Sequence, residues 1–134
     1  MVSIRGLSPL LQVFDMPRAV AFYRGILGFE LVATSPKAED GHFDWCMLEQ
    51  GGAVVMLNTA FEREQRPPTS PARNGEGGMS LYFGCPNVDA AFASLRASGW
   101  PVDPPRNASY GMRQLYFHDP DGFELCLQHP VERP

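Results

Sequence analysis

The sequence predicts an α+β fold: two tandem βαβββ modules forming a curved, partly closed sheet around a cavity. Three observations lead there. Apolar residues alternate with period two in several short runs and recur at i, i+3, i+4 and i+7 in two others, giving strands and two helices. The order strand, helix, three strands occurs twice. The spacing of the two copies is nearly constant, because Gly99 follows Gly28 by 71 residues and Gly122 follows Gly52 by 70. Residues 1–134 thus form a single domain, with a first module at 7–60, a linker at 61–78 and a second module at 79–130.

Leu7 to Phe14 alternates and reads as the first strand. Asp15 can cap a helix, and Pro17 falls in the first turn, where a missing N–H costs little. Ala19, Phe22, Tyr23 and Ile26 make one apolar stripe, and Gly28 suits the left-handed position that ends a helix. Phe29 to Ser35 is the second strand. Phe43 to Glu49 and Ala53 to Asn58 form a hairpin about Gln50-Gly51-Gly52.

From Glu62 to Gly78 there is no large apolar residue, but Pro67, Pro68 and Pro71 stand there with Gly75, Gly77 and Gly78. Such a stretch cannot bury enough surface to offset the entropy of ordering it, which marks a linker. Beyond it, Ser80 to Cys85 is a strand, and Asn87 or Val88-Asp89 opens a helix with Val88, Ala91, Phe92 and Leu95 on its apolar face. Gly99 closes that helix. Trp100 to Pro104 reads as a proline-interrupted edge strand. Met112 to His118 and Phe123 to Gln128 flank Asp119-Pro120-Asp121-Gly122, which fits a type I turn ended by a left-handed glycine.

Composition excludes several classes. Eleven basic residues against 15 acidic ones give a net charge of −4 with no basic stripe, which argues against nucleic acid as partner. No apolar run is long enough to span a membrane, and the first residues lack the apolar core of a signal peptide, so the expectation is no membrane contact and a cytoplasmic protein. Three distant cysteines, Cys46, Cys85 and Cys126, suit a reducing compartment, with neither a disulfide framework nor a zinc ribbon.

Strand parity selects the candidate site. In the last strand Phe123, Leu125 and Leu127 take one face, for helices to cover, and Glu124, Cys126 and Gln128 take the other. Applied throughout, parity puts Ser8, Gln12, Phe14, Met56 and Asn58 from the first module on the concave face. Ser80, Tyr82, Gln114, Tyr116, Glu124 and Cys126 join them from the second. Phe14, Trp45, Tyr82 and Tyr116 are the aromatic candidates, about half of them expected to face the cavity. No inward Arg or Lys is evident, although Arg106 or Arg113 could satisfy Glu124. His118 reads as a hairpin-end residue bonded to the turn, His42 and His129 as solvated, Trp100 as packing or an interface anchor. Cys126 lacks a readable Cys-His-acid arrangement and reads as a small lining residue.

The run from Asp15 through Phe22-Tyr23 to Leu27-Gly28-Phe29 resembles the first-helix segment of the vicinal oxygen chelate superfamily. Asp119-Pro120-Asp121-Gly122 resembles its C-terminal hairpin. That superfamily includes glyoxalase I, extradiol dioxygenases, methylmalonyl-CoA epimerase, fosfomycin resistance enzymes and bleomycin resistance proteins, and the resemblance implies paired βαβββ modules. In its metal-dependent members a His or Glu stands seven residues before the capping Asp and a Glu four residues after each hairpin glycine. Those positions and their second-module equivalents are Ser8, Met56, Ser80 and Cys126 here. Hydroxyls, a thioether and a lone thiol are poor ligands for a hard divalent ion, so no metal, no cofactor and no catalytic residue is expected.

The segment Asp44-Trp45 to Met56-Leu57 resembles the corresponding hairpin of the bleomycin resistance proteins. This implies a metal-free protein, a homodimer with clefts between modules, that sequesters an aromatic or cationic small organic molecule. Gln12, Phe14, Trp45, Met56, Asn58, Ser80, Tyr82, Gln114, Tyr116, Glu124 and Cys126 are the ligand-binding candidates. Antibiotic resistance is the role implied. The alternative is an enzyme of the same superfamily with a non-standard site, either a metal-dependent lyase or dioxygenase using displaced ligands or a metal-free isomerase using Glu124 as base. A third possibility is a regulatory module whose cavity is vestigial.

Overall fold

The computed structural model describes residues 1–60 and 79–131. They fall into two compact units, one on each side of residues 61–78; the predicted linker lies outside the described residues. Each unit is α+β and carries its own four-stranded sheet.

The first unit runs β1 (Leu10–Val13), α1 (Met16–Ala21, continued by a π-helical turn at Phe22–Ile26), β2 (Glu30–Thr34), β3 (Trp45–Gln50) and β4 (Ala53–Thr59). The sheet order is β1-β4-β3-β2: the last three strands form an antiparallel meander, and β4 returns to lie parallel to β1. Asp15 caps α1, its carboxylate accepting from the Arg18 N–H at 3.3 Å. The predicted stripe is inward-facing, with Ala19, Phe22 and Tyr23 buried under edge-on ring contacts. Gly28 adopts φ 82°, and the Phe29 N–H reaches back to the Tyr23 carbonyl at 2.8 Å, so the chain leaves the helix through a left-handed glycine. Gly51 and Gly52, at φ 53° and 88°, make the two-residue β3–β4 turn, a geometry that matches sheet twist and that side chains disfavour.

The second unit repeats the plan: β5 (Ser80–Gly84), α2 (Val88–Ala97), β6 (Arg106–Asn107), β7 (Met112–His118) and β8 (Glu124–Pro130), ordered β5-β8-β7-β6. Asn87 caps α2 through Ala90 N–H at 3.0 Å, and Gly99 at φ 81° ends it. The turn after β7 is held by Asp119, whose buried carboxylate accepts from the N–H groups of Asp121 and Phe123, both at 2.9 Å. That role belongs to Asp119, not to His118, which is exposed and whose carbonyl accepts the Trp100 indole N–H at 2.8 Å. The predicted edge strand at Trp100 to Pro104 is absent. Pro101, Pro104 and Pro105 supply no N–H for a ladder, and the edge forms only past them, at Arg106–Asn107.

Register separates two faces in each sheet. Leu11, Val13, Cys46, Leu48, Val55 and Leu57 are fully buried on the helix side of the first. Leu115, Phe117 and Leu125 are buried in the second, against which α2 packs. Cys46 meets Met16 Sδ at 3.9 Å, and burial pushes its thiol up to about 11. The opposite faces carry the candidate residues.

Candidate functional site

In the second unit β5, β8 and β7 are in register, so their alternate residues line up in rows across the open face. Ser80, Glu124 and His118 form one row and Tyr82, Cys126 and Tyr116 the next; Gly84, Gln128, Gln114 and Arg106 form the third. The middle row has two tyrosines flanking a cysteine. Their rings meet edge to face, centroids 5.9 Å apart, and their hydroxyls are 2.7 Å apart. Both tyrosines remain well exposed, at 49% and 39%, while Cys126 between them has no exposed surface. Large apolar rings left facing outward on a strand, over a filled core, offer a stacking surface.

The tyrosine hydroxyls start a directed hydrogen-bond chain. Tyr116 donates to Gln114 Oε1 at 3.2 Å, so the shared proton between the phenols is Tyr82's. Gln114 Nε2 in turn donates to Gln128 Oε1 at 3.0 Å and to the Tyr110 hydroxyl at 2.7 Å. Gln114 is buried, and these partners consume both of its amide hydrogens. The hydrogen bond with Tyr82 and then desolvation hold the Tyr116 phenol far above its ordinary pKa, so it stays neutral. Burial likewise raises the Cys126 thiol, an environment that disfavours the thiolate a nucleophile or metal ligand needs.

Beside this chain lies a cavity of about 390 Å³, lined by Asp103, Pro104, Arg106, Asn107, Ala108, Gln114 and Tyr116. Its size falls within the roughly 300–1,000 Å³ range of small-molecule pockets. Arg106 is an exposed cation that lines this cavity, and parity does not reveal it because the proline-interrupted segment ahead of it reads as the strand. Arg113, the other candidate partner for Glu124, lies in register with His129 and Asn107 and forms a two-pronged bond to Asp89 at 2.9 and 2.7 Å. That pairing lowers the Asp89 pKa. Glu124 is met instead by the Ser80 hydroxyl.

In the first unit Gln12, Asn58 and Trp45 form one row on the open face, and Met56 sits in the next between Leu10 and Met47. Gln12 is exposed; Asn58, Trp45 and Met56 are half-buried. Phe14 follows the end of β1, so no ladder sets its side. Strand parity misses Tyr110 and the loop at 103–108. The signal available in the sequence is the Pro-Pro step followed by Gly111, which marks a short hairpin rather than a strand.

The four positions implied as metal ligands do not fit a hard divalent ion. Ser8 lies exposed ahead of β1, Met56 offers only a thioether, the Ser80 hydroxyl is engaged by Glu124, and Cys126 is held protonated. Among the described residues no three His, Cys, Asp or Glu side chains cluster as a metal site. His42, expected to be solvated, is paired with Asp44 at 2.8 Å. No helix among the described residues is long and apolar enough to cross a membrane.

Comparison with known proteins agrees with this architecture. TnmS3, an antibiotic binding protein from Streptomyces sp. CB03234, is 30% identical, with 98% of this chain and all of that one covered at a TM-score of 0.73. A glyoxalase/bleomycin resistance protein from the same Streptomyces is also 30% identical, covering 91% of this chain and 97% of its own at a TM-score of 0.66. YwkD of Bacillus subtilis (strain 168), an uncharacterized protein, is 28% identical over 117 residues, 84% of this chain and 87% of its own. The sequence profile of one family matches residues 7–127, with the duplicated plan and both hairpin turns inside the match: the chain belongs to the Glyoxalase/Bleomycin resistance protein/Dioxygenase superfamily.

Proposed function

We propose that this protein binds and sequesters an aromatic organic molecule without turning it over, at the open face of its second sheet. The exposed Tyr82–Tyr116 pair carries the reading: two rings held by a shared hydrogen bond present stacking surface beside a cavity of about 390 Å³. Because the phenols and Gln114 already satisfy one another, a ligand can stack there without breaking a buried polar contact. The similarity to TnmS3, an antibiotic binding protein, supports an antibiotic-like ligand and a role in resistance. Among the described residues no donor set suits a hard divalent ion, and Cys126 is buried.

The test is a screen of aromatic compounds by calorimetry, followed by recovery of the bound compound. Tyr116→Ala should weaken the best ligand at least tenfold, about 1.4 kcal/mol, through lost stacking. The ligand should come back chemically unchanged. A second reading, a metal-free isomerase with Glu124 as base, is favoured by one observation: Glu124 lies on the open face, bonded to Ser80 and in register with His118. A ligand recovered in altered form, with alteration abolished by Glu124→Gln, would replace sequestration with catalysis.

A further inference from the structure

We propose that Arg106 makes the cavity of the second unit selective for aromatic molecules carrying one acidic oxygen, a carboxylate or ionised phenol. This deepens the binding reading and rests on it. Two arginines stand near the β6–β7 edge, and their circumstances differ. Arg113 is committed, bonded to Asp89 by two nitrogens and to Asn107 by a third. Arg106, one residue before Asn107 and on the opposite face, lines the cavity and forms no ion pair among the described residues. Its guanidinium therefore remains available as a planar fork of donors.

The backbone beneath it is held. Pro104 and Pro105 fix two consecutive φ angles just before Arg106. The β6 ladder then ties Arg106 to Gln114, and the Ala108 N–H closes the turn on the Met112 carbonyl at 2.7 Å. The held backbone keeps the Arg106 side chain on the cavity wall it shares with Tyr116, where a stacked ligand can offer it an oxygen. The rest of the lining supplies no competing partner of that kind. Gln114 has spent both amide hydrogens, and Tyr116 donates its own to Gln114. Asp103, on the same wall, carries the opposing charge among the described lining residues. It adds a cost to every further anionic group, so a ligand with a single acidic oxygen is favoured over a phosphate dianion or a dicarboxylate. The sequence alone points to cationic ligands; the position of Arg106 points the other way.

Three probes with one ring system separate the cases: 2-naphthoate, 2-naphthamide and 2-naphthylmethylammonium, titrated calorimetrically into the full-length protein. The carboxylate should bind at least tenfold tighter than the amide, and the ammonium most weakly. Arg106→Gln should remove that preference while leaving the amide within twofold, and Arg106→Lys should restore part of it. Tyr116→Ala should weaken all three. Equal binding of carboxylate and amide, or a preference that survives Arg106→Gln, overturns the role of Arg106. If the amide still binds and still depends on Tyr116, the aromatic-binding reading stands without it. Failure of all three probes to bind overturns both.

Discussion

Cys126 shows how much a side chain's chemistry depends on its cross-strand neighbours. Its position in the ladder puts a phenol on either side, the two hydroxyls meet at 2.7 Å, and the thiol has no exposed surface. Desolvation then raises the thiol's pKa, and both accessibility and thiolate fraction fall together. Tyr116→Ala should restore access to the thiol. Iodoacetamide labelling at pH 8, followed by peptide mass spectrometry, should show Cys126 alkylated at least tenfold faster in the variant, with Cys46 unreactive in both proteins. Cys46 serves as the control because it is buried in the core of the first unit, whose sheet does not include Tyr116. An unchanged rate at Cys126 would mean that Tyr116 is not its cover.

At the scale of elements, the two helices depend on caps that are single residues. Asn87 meets the Ala90 N–H at 3.0 Å and Asp15 the Arg18 N–H at 3.3 Å. Asn87→Ala should cost about 1 kcal/mol in urea unfolding, and Asn87→Asp close to nothing, because an aspartate accepts the same bond and favours a helix N-terminus. A loss confined to Asn87→Ala identifies the cap as the cause; equal losses point to packing around the loop. Such caps are legible in the amino-acid sequence, as are Gly28, Gly99 and the Asp119 turn, because each is local chemistry in one or two residues. The β6 edge is not. Two residues carry no periodicity, and three nearby prolines shift the apparent strand to the wrong side of them. The residue hidden by that shift is Arg106, the one cation among the described residues that line the cavity.

For the molecule as a whole, parity fares better than strand limits do. Tyr82 and Tyr116 fall on the same open face because the period of a strand is two and the ladder does not slip there. What parity cannot supply is the hydrogen-bond chain through Gln114 to Tyr110, since Tyr110 lies in a loop outside any ladder. Assembly belongs to this scale too. Four edge strands, β1 and β2 in one sheet and β5 and β6 in the other, end the ladders, and open edges invite pairing. We propose that a two-fold partner covers some of them, so light scattering at micromolar concentration should give twice 14.8 kDa. A single monomer mass at that concentration excludes the dimer.

The π-helical turn at Phe22–Ile26 has a bearing on descent. From Asp15 to Gly28 the chain advances 13 residues, while the equivalent step from Asn87 to Gly99 takes 12. A helix that gains one residue between fixed ends either rotates everything beyond it by about 100° or bulges. Rotation would have turned Gly28 away from its closing position and carried β2 off the sheet. The bulge absorbs the surplus, with the Leu27 N–H reaching five residues back to the Phe22 carbonyl at 3.1 Å. Between helix cap and closing glycine the first module is one residue longer than the second, and the wide turn is where that residue is taken up.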